Sequence, residues 1–457
     1  MTTAHSQIAA GLLIVSIMTF AWAAVPHPIA GLALALLPLV AIVGLRVTYL
    51  ACLAFIIFSF FRLHEAAPVL EPLKLPKLLA LASFVTLAWS IAFQRIRVFW
   101  DPLFTPFVMF FVAVCLGILA ATNSANSLSY FKDTYIKIGI MVFAVAWSFN
   151  RERDLRVGNL IIVVAAGLIA TVALLNKLQG IGLVEGTRVT IGRDIGSVLG
   201  DPNDLSLVLL FGASFAISAA LGRGLPRLDR YLGLLVFCAV AAAIVATQSR
   251  GGLLGLVAVT GVFVAERIKS KSILIFVGIF AALALFGLSD IGDRQSGGSH
   301  EEGIDESAMG RIYAWGAAVR MAMANPITGV GLDNFYLNYF FYSDHWDGLN
   351  HAVHSTWFGV LGEAGFVGLI LFGWMVLSIL QRQRKTKSQI ANLEKLYPVL
   401  AASNRGLMGG TIGFCVGGSF LTQAFTWPIY IILGLTIATS HIANAAAGTR
   451  NTEVTNL

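Results

Sequence analysis

Apolar residues run through this 457-residue chain in long stretches broken by short polar turns. We count fourteen runs, at 9–24, 29–45, 47–62, 77–94, 103–121, 135–149, 158–176, 205–221, 231–248, 251–265, 272–288, 356–380, 406–423 and 428–445. A helix needs about 20 apolar residues to span hydrocarbon, where each backbone polar group must be satisfied within the segment. Several runs are short, and the first two also fit one re-entrant hairpin. The pattern therefore predicts an all-α polytopic membrane protein with 12–14 transmembrane helices, one transmembrane domain over 1–457. The run at 9–24 resembles a signal peptide in position only. Its leader, MTTAHSQ, has no Lys or Arg, and hydrophobicity resumes at once, so an uncleaved first helix is expected.

Composition strengthens that picture. Hydrophobic residues make up 57% of the chain and charged residues 12%, against about 25% charge in soluble proteins. A soluble enzyme, a disordered chain, a coiled coil and a disulfide scaffold are excluded. Cys52, Cys115, Cys238 and Cys415 each lie within or beside an apolar run, without metal spacing, and read as small core hydrophobes.

Charge gives the orientation. Alternating the loops puts Arg46, Arg95, Arg97 and the basic stretches 151–156, 223–230, 267–271 and 382–405 on one side. By the positive-inside rule that side is cytoplasmic, with both termini, while most acidic residues collect on the other. The net charge of +7 is thus a sign of topology and not of nucleic-acid binding.

Two connections on the acidic side are long, 177–204 and 289–355. The second begins acidic and flexible, SDIGDRQSGGSHEEGIDES, and holds His300, His345, His351 and His354. Ile312, Trp315, Val319, Ala322 and Met323 then recur at helical spacing, and Pro326 with the glycines of TGVGLDNF stops that helix. A periplasmic loop or cap over 289–355 is expected. No internal repeat marks the chain as a secondary transporter.

Arginines are scarce on this face. Arg188 and Arg193 lie in GTRVTIGRDIGS, Arg250 follows TQS at a nearly absent turn, and Arg311 and Arg320 share the loop helix. Each suits a salt bridge with the acidic residues around it. A cation at the membrane boundary, as at Arg250, needs an anion or a wet cavity. Several converging guanidinium forks make a diphosphate site. His354 stands where the loop re-enters the membrane, and its pKa suits a general base near neutral pH. His345 and His351 remain possible bases. Glu363 is nine residues on, two and a half turns and about 13.5 Å along a helix, so it faces away from His354. Asp201 and Asn203 in DPND offer oxygen ligands to a cation, but capping of the next helix is the favoured reading. Trp100, Trp147, Trp374, Trp427 and Tyr430 suit belt or packing positions. There is no Walker loop, dinucleotide fingerprint or zinc spacing.

The order SRGG (249–252), GRIYAWGAAVRMAMANPITGVGLDNF (310–335) and HSTWFGVLGEAGFVG (354–368) resembles the O-antigen ligase and polymerase superfamily. Arg311 and Trp315 fit its R-x-x-x-W, and His354, Ser355 and Glu363 fit H-S-x7-E. The resemblance implies a GT-C-like inverting glycosyltransferase of the bacterial inner membrane that needs neither metal nor cofactor. It would move a glycan from undecaprenyl diphosphate to lipid A–core at the periplasmic face. On that basis His354 is the expected catalytic base, and Arg188, Arg193, Arg250 and Arg311 bind the diphosphate. Glu363, Ser355, Trp315, Asp201 and Asn203 support them. An O-antigen polymerase and a protein O-glycosylation ligase share this chemistry with other acceptors. A lipid-linked glycan transporter or flippase is the alternative of another class.

Overall fold

The computed structural model describes Ser16, Thr19 and residues 48–66, 70, 74–268, 270–288, 306–346 and 348–455. The rest of the first two apolar runs, the acidic stretch 289–305 and His300 lie outside the described residues. Among the described residues, regular structure is helical apart from an isolated antiparallel bridge between Val184 and Arg188. In order, the helices are α1 (Thr48–Ser59), α2 (Leu75–Ala92), α3 (Phe104–Leu119), α4 (Ser124–Tyr130), α5 (Ile136–Ser148), α6 (Glu152–Gln179), α7 (Pro202–Leu221) and α8 (Arg227–Thr247). Then come α9 (Arg250–Ala265), α10 (Lys271–Leu288), α11 (Glu306–Ala324), α12 (Phe335–Tyr342), α13 (Thr356–Ile390), α14 (Pro398–Gly417) and α15 (Trp427–Thr455). A π turn, Phe131–Tyr135, joins α4 to α5.

Six of them (α2, α6, α7, α8, α13 and α15) are long and apolar enough to cross a membrane, and α1, α3, α9 and α10 are shorter apolar helices. The chain is a helical, multi-pass membrane protein. α7 occupies the centre, packed by α6, α8, α9 and α14, and every residue from Leu205 to Ala219 is buried. Small residues make this possible: a Cβ added at Gly233 of α8 would stand 2.7 Å from the Ala216 carbonyl oxygen. α2 and α10 instead expose Leu81, Phe84, Trp89, Phe276, Phe280 and Leu283, the surface that hydrocarbon would cover. Cys238 is also exposed, on α8. It is no core residue, because α8 turns that side away from α7. Tyr430 is a packing residue: it is buried, and its hydroxyl donates to the Ala424 carbonyl at 2.7 Å.

Hydrogen bonds sort the helix ends into two groups. At one end the 60s turn meets the 190s loop through Ser197 and Glu65. There too Thr122 meets Val330, Arg188 meets Thr247, and Thr356 meets Leu421. At the opposite end Arg156 meets Asp229, Glu152 meets Val399, and Arg382 meets Asp101.

The loop helix departs from expectation in one respect. Ile312 and Met323, expected on its apolar face, are 51% and 68% exposed. The buried face is Ala314, Ala317, Ala318, Met321 and Ala322. The cause is the partner surface. α11 packs on α13 where Gly362 lies, and a Cβ there would sit 3.5 Å from Ala318, so only small side chains fit between.

Candidate functional site

The end of the bundle that holds His354 is built from three short connections. The first is the turn between α8 and α9. Gln248 takes a left-handed backbone (φ 51°), and Ser249 caps α9 by accepting from the Gly252 N–H. Arg250 is therefore the first residue of α9 and half-buried. A guanidinium at a helix N-terminus adds to the positive end of the helix dipole, so the pair together favours an anion.

Arg188 braces this turn. It is 7% exposed. Its Nε donates to the Thr247 carbonyl at 3.2 Å and its Nη2 to Asn203 Oδ1 at 3.1 Å, while Glu185 lies 3.8 Å away. Ser249 Oγ donates to the same Asn203 oxygen at 2.9 Å. Asn203 thus ties the 180s loop, the α8–α9 turn and the start of α7 into one unit. Asp201 caps α7, accepting from the N–H groups of Asn203 at 2.7 Å and Asp204 at 3.3 Å. The helix begins at Pro202, earlier than the apolar run at 205 suggested, because Asp201 supplies the cap and proline suits the first helical position. Arg193 is exposed in the next turn and donates to the Gly200 carbonyl at 3.4 Å.

The second connection is the passage from α12 to α13. Trp315 Nε1 donates to the Val353 carbonyl at 3.1 Å, and its ring stacks on Phe358 with centroids 5.0 Å apart. One side chain so clamps the backbone before and after His354. Between those clamps His354 adopts φ 45°, a left-handed conformation that costs a residue with a Cβ about 1–2 kcal/mol. Ser355 follows, buried, as the N-cap of α13. Arg311 is one helical turn before Trp315 on the same face of α11.

His354 feels the charges of Arg311, Asp201 and His351. Burial holds its imidazole below the ordinary value of 6.5, and Arg311 lowers it further. The side chain is therefore neutral at pH 7, with a lone pair able to accept a proton. The other candidate bases are engaged with aromatic rings. His345 stacks on Tyr313 with centroids 4.7 Å apart, and His351 meets Tyr339 edge-on at 5.1 Å. Arg320 follows the ordinary salt-bridge pattern, reaching Asp344 at 2.5 Å.

The third connection carries the glycines of PITGVGLDNF. Val330 N–H donates to the Gly362 carbonyl at 2.9 Å and Gly331 N–H to the Glu363 carbonyl at 3.1 Å. Gly365 breaks α13 with φ 69° and ψ −170°, and Phe366 N–H donates to the Pro326 carbonyl at 2.9 Å. A Cβ at Gly365 would meet that same Pro326 oxygen at 2.6 Å. Glu363 Oε2 accepts from Asp333 N–H and Oε1 from Phe335 N–H, each at 3.1 Å. The carboxylate thus caps α12 and anchors the loop; His354 itself lies outside α13, so spacing along one straight helix does not relate the two.

Spacing along the chain did not reveal Gln423. Its Nε2 donates to Asp204 Oδ1 at 2.7 Å, and its N–H donates to Thr356 Oγ1 at 3.1 Å. It links the start of α7, 219 residues earlier in the sequence, to the start of α13. Only its place at the end of the apolar run 406–423 hinted at a boundary role. Arg311, His351 and Asp201 lie within electrostatic reach of His354. Arg188 and Arg250 share the neighbouring turn through Ser249 and Asn203. Arg193 and Glu363 serve adjoining structure. Among the described residues no group of three His, Cys, Asp or Glu side chains has metal-ligating geometry.

No curated protein matches the chain. Residues 234–373 match a family model described as O-Antigen ligase. That stretch runs from α8 into α13 and contains Arg250, Arg311, Trp315, His354 and Glu363. Over this segment, under a third of its length, the chain is similar to the O-Antigen ligase family.

Proposed function

We propose that this protein ligates O-antigen to lipid A–core, taking the glycan from undecaprenyl diphosphate at the periplasmic face of the inner membrane. The observation that carries the proposal is the gathering of Arg311 and a neutral, half-buried His354 at one end of the bundle, within the matched segment. Both termini would then be cytoplasmic, and 289–355 would form a periplasmic cap.

In this scheme Arg250 and Arg311 hold the diphosphate in their guanidinium forks, helped by the N-terminus of α9. Arg188 adds charge while bracing the turn, and Arg193 lies near enough in sequence to join as a mobile contact. The acceptor sugar hydroxyl gives its proton to His354. Its oxygen bonds to the anomeric carbon as the bond from that carbon to the diphosphate oxygen breaks. The electron pair leaves with the diphosphate, and the arginines stabilise that charge as it grows. Attack opposite the leaving group inverts the anomeric centre. Asp201 and Asn203 organise the arginine turn, Trp315 and Ser355 fix the backbone at His354, and Glu363 anchors the loop beneath.

The test is the product made by purified protein in lipid, given lipid-linked glycan and lipid A–core. Capped core is expected. Longer lipid-linked chains would make it a polymerase, glycan on a supplied pilin a protein O-glycosylation ligase, and transport without a new glycosidic bond a transporter.

A further inference from the structure

A cavity of about 610 Å³ opens at the His354 end of the bundle, on the far side of the Asp204–Gln423 hydrogen bond. No residue expected from the sequence to bind donor lies in its wall. Its deeper lining is apolar and buried, with Phe55, Phe60 and Val208. The lining also includes three lysines brought from two elements: Lys74 and Lys77 at the head of α2, both exposed, and Lys137, the second residue of α5.

The lining holds four cationic side chains, Arg62, Lys74, Lys77 and Lys137, against the carboxyls of Glu65, Asp133 and Asp204. Arg62 is paired with Glu65, its Nε donating at 2.6 Å. Lys137 Nζ donates to a backbone carbonyl, that of Asp133. Among the described residues no ion pair neutralises Lys74, Lys77 or Lys137. Two local irregularities stand at the same wall. Lys74 has a left-handed backbone (φ 46°), and Asp133 and Thr134 belong to the π turn. Both are the kinds of irregularity that recur at functional sites. Tyr130 and Trp427 add aromatic surface of the sort that packs on sugar rings.

We propose that this cavity is a second substrate subsite, taking a lipid whose phosphate adjoins a sugar, with the chain on the apolar lining and the phosphate on Lys74, Lys77 and Lys137. The proposal rests on the glycosyl-transfer reading, in which two such amphiphiles must meet: the polyprenyl diphosphate donor and the phosphorylated lipid A–core acceptor. Asp204 is one residue from Asn203, which holds Arg188 and Ser249. The cavity and the arginine turn therefore stand back to back, an arrangement that would bring two bound substrates together.

The experiment measures equilibrium binding of undecaprenyl diphosphate and of phosphorylated lipid A–core, separately, to the full-length protein in nanodiscs. Wild type is compared with Lys77→Ser/Lys137→Ser and Lys77→Arg/Lys137→Arg. Loss of charge-assisted contacts should weaken at least one probe about tenfold or more. The arginine variant should restore it, and raised salt should weaken wild type more than the serine variant. The probe affected identifies the occupant. Wild-type affinity for both probes in the serine variant overturns the proposal, and so does a salt response equal in the two proteins. Binding is read without turnover, so a protein that binds but transfers nothing contradicts the ligase reading and leaves this subsite standing.

Discussion

The two ends of the helix bundle handle charge differently. Away from His354, cations meet carboxylates. Arg382 reaches Asp101 at 2.8 Å, Arg156 forks onto Asp229 at 2.9 and 3.1 Å, and Lys387 pairs with Glu266. Around His354 several polar groups hold backbone and neutral side chains as well. Arg188 donates to a carbonyl and an amide oxygen, and the Glu363 carboxylate accepts from two backbone N–H groups. Pairs exist at this end too, at Arg62–Glu65, Arg188–Glu185 and Arg320–Asp344. One end is closed electrostatically and so contributes to stability. The other uses its charged groups to position the turns and loops around His354.

That comparison predicts opposite consequences for mutation. The largest effect belongs to His354→Ala, where transfer should fall about 10²–10⁴-fold, the usual worth of a placed base. Abundance in the membrane should stay normal on an immunoblot, because the imidazole is not a packing anchor. Next, Arg250→Lys and Arg311→Lys keep charge but lose the fork, and each should lower transfer about a hundredfold. Wild-type rates in both variants would remove the diphosphate role from these residues. Asp101→Asn, at the closed end, should do the reverse. It leaves Arg382 largely buried without its carboxylate, so unfolding free energy should drop about 1–3 kcal/mol, between the values for exposed and buried pairs. Thermal unfolding in detergent measures it, and transfer per folded molecule should change little. The smallest effect is expected from chelation. With Asp201 capping α7, Asn203 bound to Arg188 and Asp204 bound to Gln423, excess EDTA should leave the rate intact. A loss restored by magnesium would move Asp201 and Asp204 to metal binding.

How much of this was legible in the sequence depends on the range of the interaction. The helices were, because hydrocarbon forces each segment to satisfy its own backbone and so writes long apolar runs. Arg250 at a tight turn, and Arg311 one helical turn from Trp315, follow from local geometry. The alanine face of α11 was not legible, since it is set by glycine on α13 and not by hydrophobicity within α11. The Asp204–Gln423 bond was also hidden. So was the meeting of Lys74, Lys77 and Lys137, which depends on how α2 and α5 dock. Glu363 shows both sides of the limit. Its place within an apolar run was plain, but only the folded loop supplied the two N–H groups it accepts from.

The account's central claim is that His354 is the proton acceptor, with an affinity depressed by burial and by Arg311. The most direct measurement is the pH dependence of transfer by wild type and by Arg311→Gln, each normalised to its own maximum. Because the neutral imidazole is the active form, wild-type rate should be level at neutral pH and fall on acidification through one ionisation below 6.5. Removing Arg311 takes away a charge that lowers the pKa, so the acid limb should move upward toward 6.5. A profile without that limb, or a limb unmoved by Arg311→Gln, would contradict the claim.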